Sequence, residues 1–250
     1  MTEKSLLDEI RQRGVLRIPV EFTGPPEEDG FPPEFYIDPQ TGEPAGIAPM
    51  MGRLMAENLG VKLECVDLPW PEHIPALLSG KVDLLPKHCN TPERALQVEF
   101  ANGRFVAFRV TALLLKDSPI TKKEELNQAG KVIVTWHGSS IREIIKSEFP
   151  LATMKEFAQP WLEISEGRAD AWLTDAVTTI FLQKYPGLKF LRDEAGKLII
   201  FSREYAQPAI RPGDPRFLNW LNNWYQYHEA QGAISYWCET WWESFMADRE

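Results

Sequence analysis

No stretch of the sequence approaches the ~18 consecutive apolar residues that a membrane-crossing helix needs. Cysteine is scarce: Cys65, Cys89 and Cys238 are odd in number and far apart. They give neither a disulfide framework nor a zinc spacing, and leave only a single bridge open. There is no basic excess. With 36 acidic against 27 basic residues the formal net charge is −9, which argues against nucleic-acid backbones and anionic membranes as main partners. The start, MTEKSLLDEIRQRG, is charged and lacks an apolar signal core. A cytosolic protein, or an exported one whose leader has been removed, fits that start. A phosphate-binding glycine loop, a zinc-protease helix and a nucleophile elbow are all missing. His73, His88 and His137 are scattered and read as ordinary polar or core residues. Neither a cofactor nor a metal is expected.

What is present is an ordinary globular balance over 250 residues, 44% hydrophobic and 25% charged, enough for one large domain or two small ones. Residues 16–22, LRIPVEF, read as a strand, followed by a Pro/Gly/acid loop. Ile47, Met50, Met51, Leu54, Met55 and Leu59 recur at helical spacing and stop at Gly60. KLECVDL reads as a strand, PEHIPALLSG as a short helix and VDLLP (82–86) as a further strand. The second half repeats the plan. KVIVTW, ATMKEF and ADAWL are its strands, and SSIREIIKSEF opens a helix with a Ser140–Glu143 capping box. QPWLEISEG and DAVTTIFLQKY supply the other helices. Strands alternating with helices imply βαβ units and a mostly parallel sheet.

SGKVDLLP (79–86) and EGRADAWL (166–173) share one pattern: helix end, glycine, basic residue, aspartate, apolar strand. Two α/β lobes of the same internal order are therefore expected, with RFVAFRVTALLLK (104–116) carrying the chain into the second. The tail is helical. Phe217, Trp220, Leu221, Trp224 and Tyr227 form one stripe, and Ile234, Trp237, Trp241 and Phe245 another, both spaced as core faces. A tail returning to the first lobe makes two crossovers, and so a hinge.

In CNTPERALQVEFA, Thr91 suits an N-cap and Pro92 the first helical position, which puts Arg94 in the first turn. The helix macrodipole disfavours a cation there. Either an internal acid such as Glu93 or Glu99 holds it, or a ligand does.

The order GVLRIPV, GEPAGIAPMMGRLMAENLGVKLE, LSGKVDLLP…TPERALQVEFA, VIVTWHGSS, GRADAWLTDA and PAIRPGDPRFLNWLNNW resembles the extracellular solute-binding proteins that serve amino-acid ABC transporters. The resemblance implies a two-lobed type II periplasmic-binding-protein fold, residues 1–108 with 196–250 forming lobe 1 and 109–195 lobe 2. It implies a ligand clamped between hinged lobes, a periplasmic or extracellular setting, and no enzymatic activity. The implied partners are a small carboxylated ligand, an amino acid or related acid, and an ABC transporter permease. The protein is expected to work as a monomer.

By the same resemblance Arg94 forks onto the ligand carboxylate, a fit that a planar guanidinium makes well. Ser139 and Ser140, at a helix start, grip its other side. Asp175 meets the α-ammonium. Trp70 and Phe35 lie where the family places aromatic walls, and Trp136 adds to them.

Several places depart from the pattern. Cys89 replaces a ligand-touching hydroxyl and is a poorer hydrogen-bond partner. Lys87 stands where a glycine carbonyl commonly helps hold the ammonium, and its charge repels one. With Arg94 it points to a dicarboxylate or another acid without an amine. Ala48 and Met50 also replace acids often seen after Gly46. Two alternatives remain. One is an enzyme similar to cyclohexadienyl dehydratases, whose glutamate three residues beyond the Asp175 position is Thr178 here. The other is the ligand-sensing module of a receptor.

Overall fold

The computed structural model describes residues 5–22, 30–31, 34–103, 106–175, 182 and 185–237. They fall into two compact α/β units: one reaches Val106 and resumes at Tyr205, and the other runs from Ala107 to Glu204. The expected helix DAVTTIFLQKY lies almost entirely outside the described residues, as do Thr178, Cys238, Trp241 and Phe245.

In the first unit, α1 (Leu6–Arg13) ends at Gly14, which adopts the left-handed conformation that favours glycine. Strand β1 (Val15–Val20) follows, then two short strands, β2 (Gly30–Phe31) and β3 (Phe35–Ile37), which with β4 (Pro44–Ala45) form a small antiparallel sheet. Helix α2 (Ile47–Leu59) is the crossover that joins β1 to its parallel neighbour β5 (Lys62–Asp67). Ile47, Met51, Met55 and Leu59 are buried, as their spacing predicts. Gly52 lets α2 lie against the strand, since a Cβ there would stand 2.6 Å from Ile18 Cδ1.

A single helical turn, Trp70–Glu72, leads into α3 (His73–Ser79) and then β6 (Leu85–Cys89). The sequence predicts a strand over 82–86, but the observed strand begins later because Asp83 is claimed by charge. Its buried carboxylate accepts from Arg17 Nη2 at 2.7 Å, Arg17 backbone N at 2.9 Å and Arg13 Nη2 at 2.5 Å, which bends the chain ahead of the strand. After α4 (Pro92–Ala95) comes β7 (Glu99–Phe100).

The second unit opens with β8 (Val106–Leu115), whose first residue still belongs to the first unit. It then holds β9 (Val132–Trp136), α5 (Ile141–Glu148), β10 (Thr153–Phe157), α6 (Pro160–Ser165), β11 (Ala171–Asp175) and β12 (Leu188–Phe190). Strands β10, β9 and β11 run parallel in that order, β8 is antiparallel to β11, and β12 is antiparallel to β8. Two βαβ crossovers, through α5 and α6, build this sheet. Ile133, Ala171 and Leu173 pack on one face with Ile141, Ile145 and Phe149 of the α5 region. On other positions of the same strands, Trp136 and Trp172 cluster with Trp161 of α6.

Strand β13 (Ser202–Ile210) brings the chain back to the first unit, where it pairs antiparallel with β6 and β7. Helix α7 (Pro215–Ala230) follows. Asp214 accepts from Phe217 N at 2.9 Å and also from Ser5 Oγ and Leu6 N, so one carboxylate caps α7 and anchors the start of α1. The buried stripe of α7 is Phe217, Leu221, Trp224 and His228, with Tyr225 beside it. Tyr227, expected in that stripe, is exposed instead, and His228, four residues after Trp224, takes the core-facing position.

Removing the Asp83 carboxylate leaves two guanidinium groups facing a site with no anion. Asp83→Ala is expected to cost about 3 kcal/mol of stability, measured by urea unfolding; a loss under ~1 kcal/mol would contradict the role given to it.

Candidate ligand-binding site

In the first unit the helix start at α4 forms as its sequence suggests. Thr91 Oγ1 accepts from Arg94 N at 3.2 Å, and Pro92 takes the first helical position. Arg94 is buried, and its Nη1 donates to the Cys89 carbonyl at 3.1 Å. Its guanidinium carbon lies 5.8 Å from the centre of the Trp70 ring, within range of a cation–π contact. A carbonyl and an aromatic face thus help offset the cost of a cation in the first helical turn. Glu99, one of the internal acids considered for it, instead accepts from Gly213 N at 3.3 Å.

Trp70 is the centre of a wider cluster. His88 stacks on it with ring centres 4.3 Å apart and planes within 5°, and His73 lies 5.0 Å from it. His73 Nε2 is 3.1 Å from the Leu68 carbonyl. Both nitrogens of His88 are buried and have no hydrogen-bond partner among the described residues. Burial pushes the His73 imidazole down to about 4, with the Arg94 cation adding to it. Burial likewise pushes His88 well below its ordinary value, helped by His73, Arg94 and Lys87. At neutral pH this is a pair of uncharged rings among cations.

Glu21, which follows β1, was not singled out from the sequence. Its Oε2 accepts from Trp70 N at 3.1 Å. Burial raises its carboxyl to about 7, against the opposing effect of that hydrogen bond, and Asp67 raises it further. Glu21 and Trp70 both follow the carboxyl ends of parallel strands, where open α/β sheets place ligands.

Lys87 corrects the expectation of a cation awaiting a second carboxylate. Its ammonium forms an ion pair with the Glu34 carboxylate, and both side chains are buried, at 2% and 10% exposure. Glu34, too, escaped the sequence reading. It precedes Phe35, which is buried on β3. Cys89 is buried at the end of β6. Cys65 is a free thiol, pushed up to about 11 by burial.

In the second unit, Trp136 and Asp175 end the parallel strands β9 and β11, so both lie at the carboxyl edge of one sheet. Ser139 and Ser140 follow in the turn that begins α5. The predicted Ser140–Glu143 capping box does not form: Ser140 has helical backbone angles and makes no side-chain cap. Its hydroxyl donates to Glu204 at 2.7 Å, while Ser139 Oγ accepts from Ile141 N at 3.2 Å. Glu143 is drawn instead to Lys146, 2.7 Å away. Trp136 packs on the buried rings of Trp161 and Trp172, at 5.1 and 5.6 Å.

No cluster of three or more His, Cys, Asp or Glu among the described residues is placed to hold a metal ion. No helix among them is long and apolar enough to cross a membrane.

Two α/β units whose candidate residues gather at strand ends and helix starts define a ligand-binding class of protein. Residues 27–244 match the profile of the bacterial extracellular solute-binding proteins, family 3, and the chain belongs to that family. It is similar to the L-cystine-binding protein TcyJ of Escherichia coli (strain K12), with 22% identity over 96% of this chain and 86% of TcyJ. It is also similar to a cyclohexadienyl dehydratase of Pseudomonas aeruginosa, with 23% identity over 96% of this chain and 87% of the enzyme. Among solved structures it resembles the ancestral amino acid-binding protein AncCDT-1, a precursor of cyclohexadienyl dehydratase. Their identity is 31%, the TM-score is 0.77, and the match covers 95% of this chain and 100% of that one.

The elevated Glu21 carboxyl carries a pH signature. Its folded value, about 7, stands above the ordinary 4.5, so its contribution to stability is full below pH 4.5 and is lost as the pH rises through 7. Glu21→Gln is expected to narrow the fall in urea stability between pH 5 and pH 8, by about 1–3 kcal/mol. An equal fall in both proteins would contradict the buried placement of this carboxyl.

Proposed function

We propose that the protein is the substrate-binding component of an ABC transporter that captures a small amino acid by its carboxylate and delivers it to a membrane permease. The observation that carries this reading is the held guanidinium of Arg94, aligned by the Cys89 carbonyl and the Trp70 face. A buried cation set in this way favours an anionic ligand group and makes a fork for a carboxylate. The amino-acid and cystine binding named for AncCDT-1 and TcyJ supports the ligand class.

In this reading Arg94 takes the carboxylate on one lobe, while Ser139 and Ser140 take its other side from the second lobe. Asp175 answers the α-ammonium, and Trp70, Phe35 and Trp136 line the side-chain space. Residues 1–108 with 196–250 act as lobe 1 and 109–195 as lobe 2. Ligand binding favours a closed form through its higher affinity for that form. The protein works as a monomer in the periplasm or outside the cell and catalyses no reaction.

A dehydratase reading is kept in view by one relative and by Glu21, a carboxyl able to hold a proton near neutral pH beside Trp70.

A thermal-shift screen of the L-amino acids identifies a ligand, and calorimetry then compares wild type with Arg94→Ala. The variant is expected to lose at least ~30-fold in affinity, because a desolvated charge pair loses its partner. Unchanged affinity would reject Arg94 as the carboxylate anchor. Neither protein is expected to convert prephenate to phenylpyruvate; conversion by the wild type would replace the transport reading with the enzymatic one.

A further inference from the structure

We propose that the buried Glu34–Lys87 ion pair is a specificity determinant, limiting the site to a ligand with one carboxylate and an amine and turning away dicarboxylates. The inference rests on the proposed function and deepens it.

The pair is built into the fold. Lys87 lies on β6, beside His88, which stacks on Trp70, and two residues before Cys89, whose carbonyl holds Arg94. Glu34 comes from the other side, at the start of β3, and its position is fixed by its backbone. Its carbonyl accepts from Ala48 N at 3.1 Å at the beginning of α2. Gly46 presses so closely that a Cβ there would stand 2.6 Å from the Glu34 oxygen. The carboxylate is thereby delivered to the Lys87 ammonium, with both groups almost fully withdrawn from water.

Stability is a weak reason for such a pair. Removing two charges from water costs about what their attraction returns, and apolar residues of similar volume serve as well. Its effect on the local charge is definite. His73 and His88 are uncharged, and Glu34 cancels Lys87. In the proposed function it is Arg94 that meets the ligand carboxylate, and the Glu34 carboxylate keeps the Lys87 charge from adding to it. With Glu34 neutral, two cations would share the region, which is the arrangement that receives two carboxylates and repels an ammonium.

The test is calorimetry at pH 7 on wild type, Glu34→Gln and Glu34→Gln/Lys87→Met. The probes are L-cystine, L-arginine, L-phenylalanine, succinate and glutarate, and circular dichroism confirms folding. Wild type is expected to bind an amino acid and neither diacid. Glu34→Gln is expected to lose about 10- to 100-fold in amino-acid affinity and to gain measurable binding of succinate or glutarate. The double variant, which removes both charges, is expected to return to the wild-type preference. Folded Glu34→Gln with wild-type selectivity overturns the proposal, as does a double variant that takes the diacids, including where Glu34→Gln itself does not fold. Wild type that binds none of the five probes overturns the function reading, and the proposal with it. Amino-acid binding with unchanged selectivity in Glu34→Gln overturns the role of the pair alone.

Discussion

Among the described residues of one unit two cations, Lys87 and Arg94, are buried, and a buried charge persists only where something answers it. For Lys87 the answer is an internal carboxylate, Glu34. Arg94 is held by contacts that include a backbone carbonyl and the face of an indole. Their charges also account for the uncharged state of the neighbouring imidazoles, since neither ring can take a proton cheaply beside two cations and away from water.

The supporting architecture follows from parallel pairing. Parallel strands need crossovers, and crossovers return every chain direction to the same edge. The residues just beyond β1 and β5 therefore meet in one unit, and those beyond β9 and β11 meet in the other. In each unit a short helix begins close to that edge, α4 in one and α5 in the other. The two units thus repeat one plan with different side chains, Arg94, Trp70 and Glu21 in the first and Trp136, Ser139, Ser140 and Asp175 in the second.

Much of this was legible in the sequence because it is local. The Thr91–Pro92–Arg94 cap, the stripe of α2 and the α/β alternation each depend on neighbours within a few residues. What escaped depends on partners far along the chain. Glu34 lies 53 positions from Lys87, and nothing in either neighbourhood announces the pairing, so the lysine read as an open anion site. Asp83 sat inside an apolar run and read as strand, but Arg13 at the end of α1 and Arg17 on β1 claim its carboxylate. Ser140 had the right spacing for a capping box, but Glu204 took its hydroxyl. His88 read as an ordinary core residue, and its place against Trp70 emerges only from the packing of β6 beside the turn at Trp70–Glu72.

The central claim is that a carboxylate is what the Arg94 site recognises. The most direct measurement is calorimetry of the wild-type protein with its best-binding amino acid and with the carboxamide of that amino acid, which keeps the shape and the amine and removes the anion. The account predicts tight binding of the acid and a loss of at least ~100-fold for the amide, since the buried guanidinium would lose its charge partner. Equal binding of the two would contradict it.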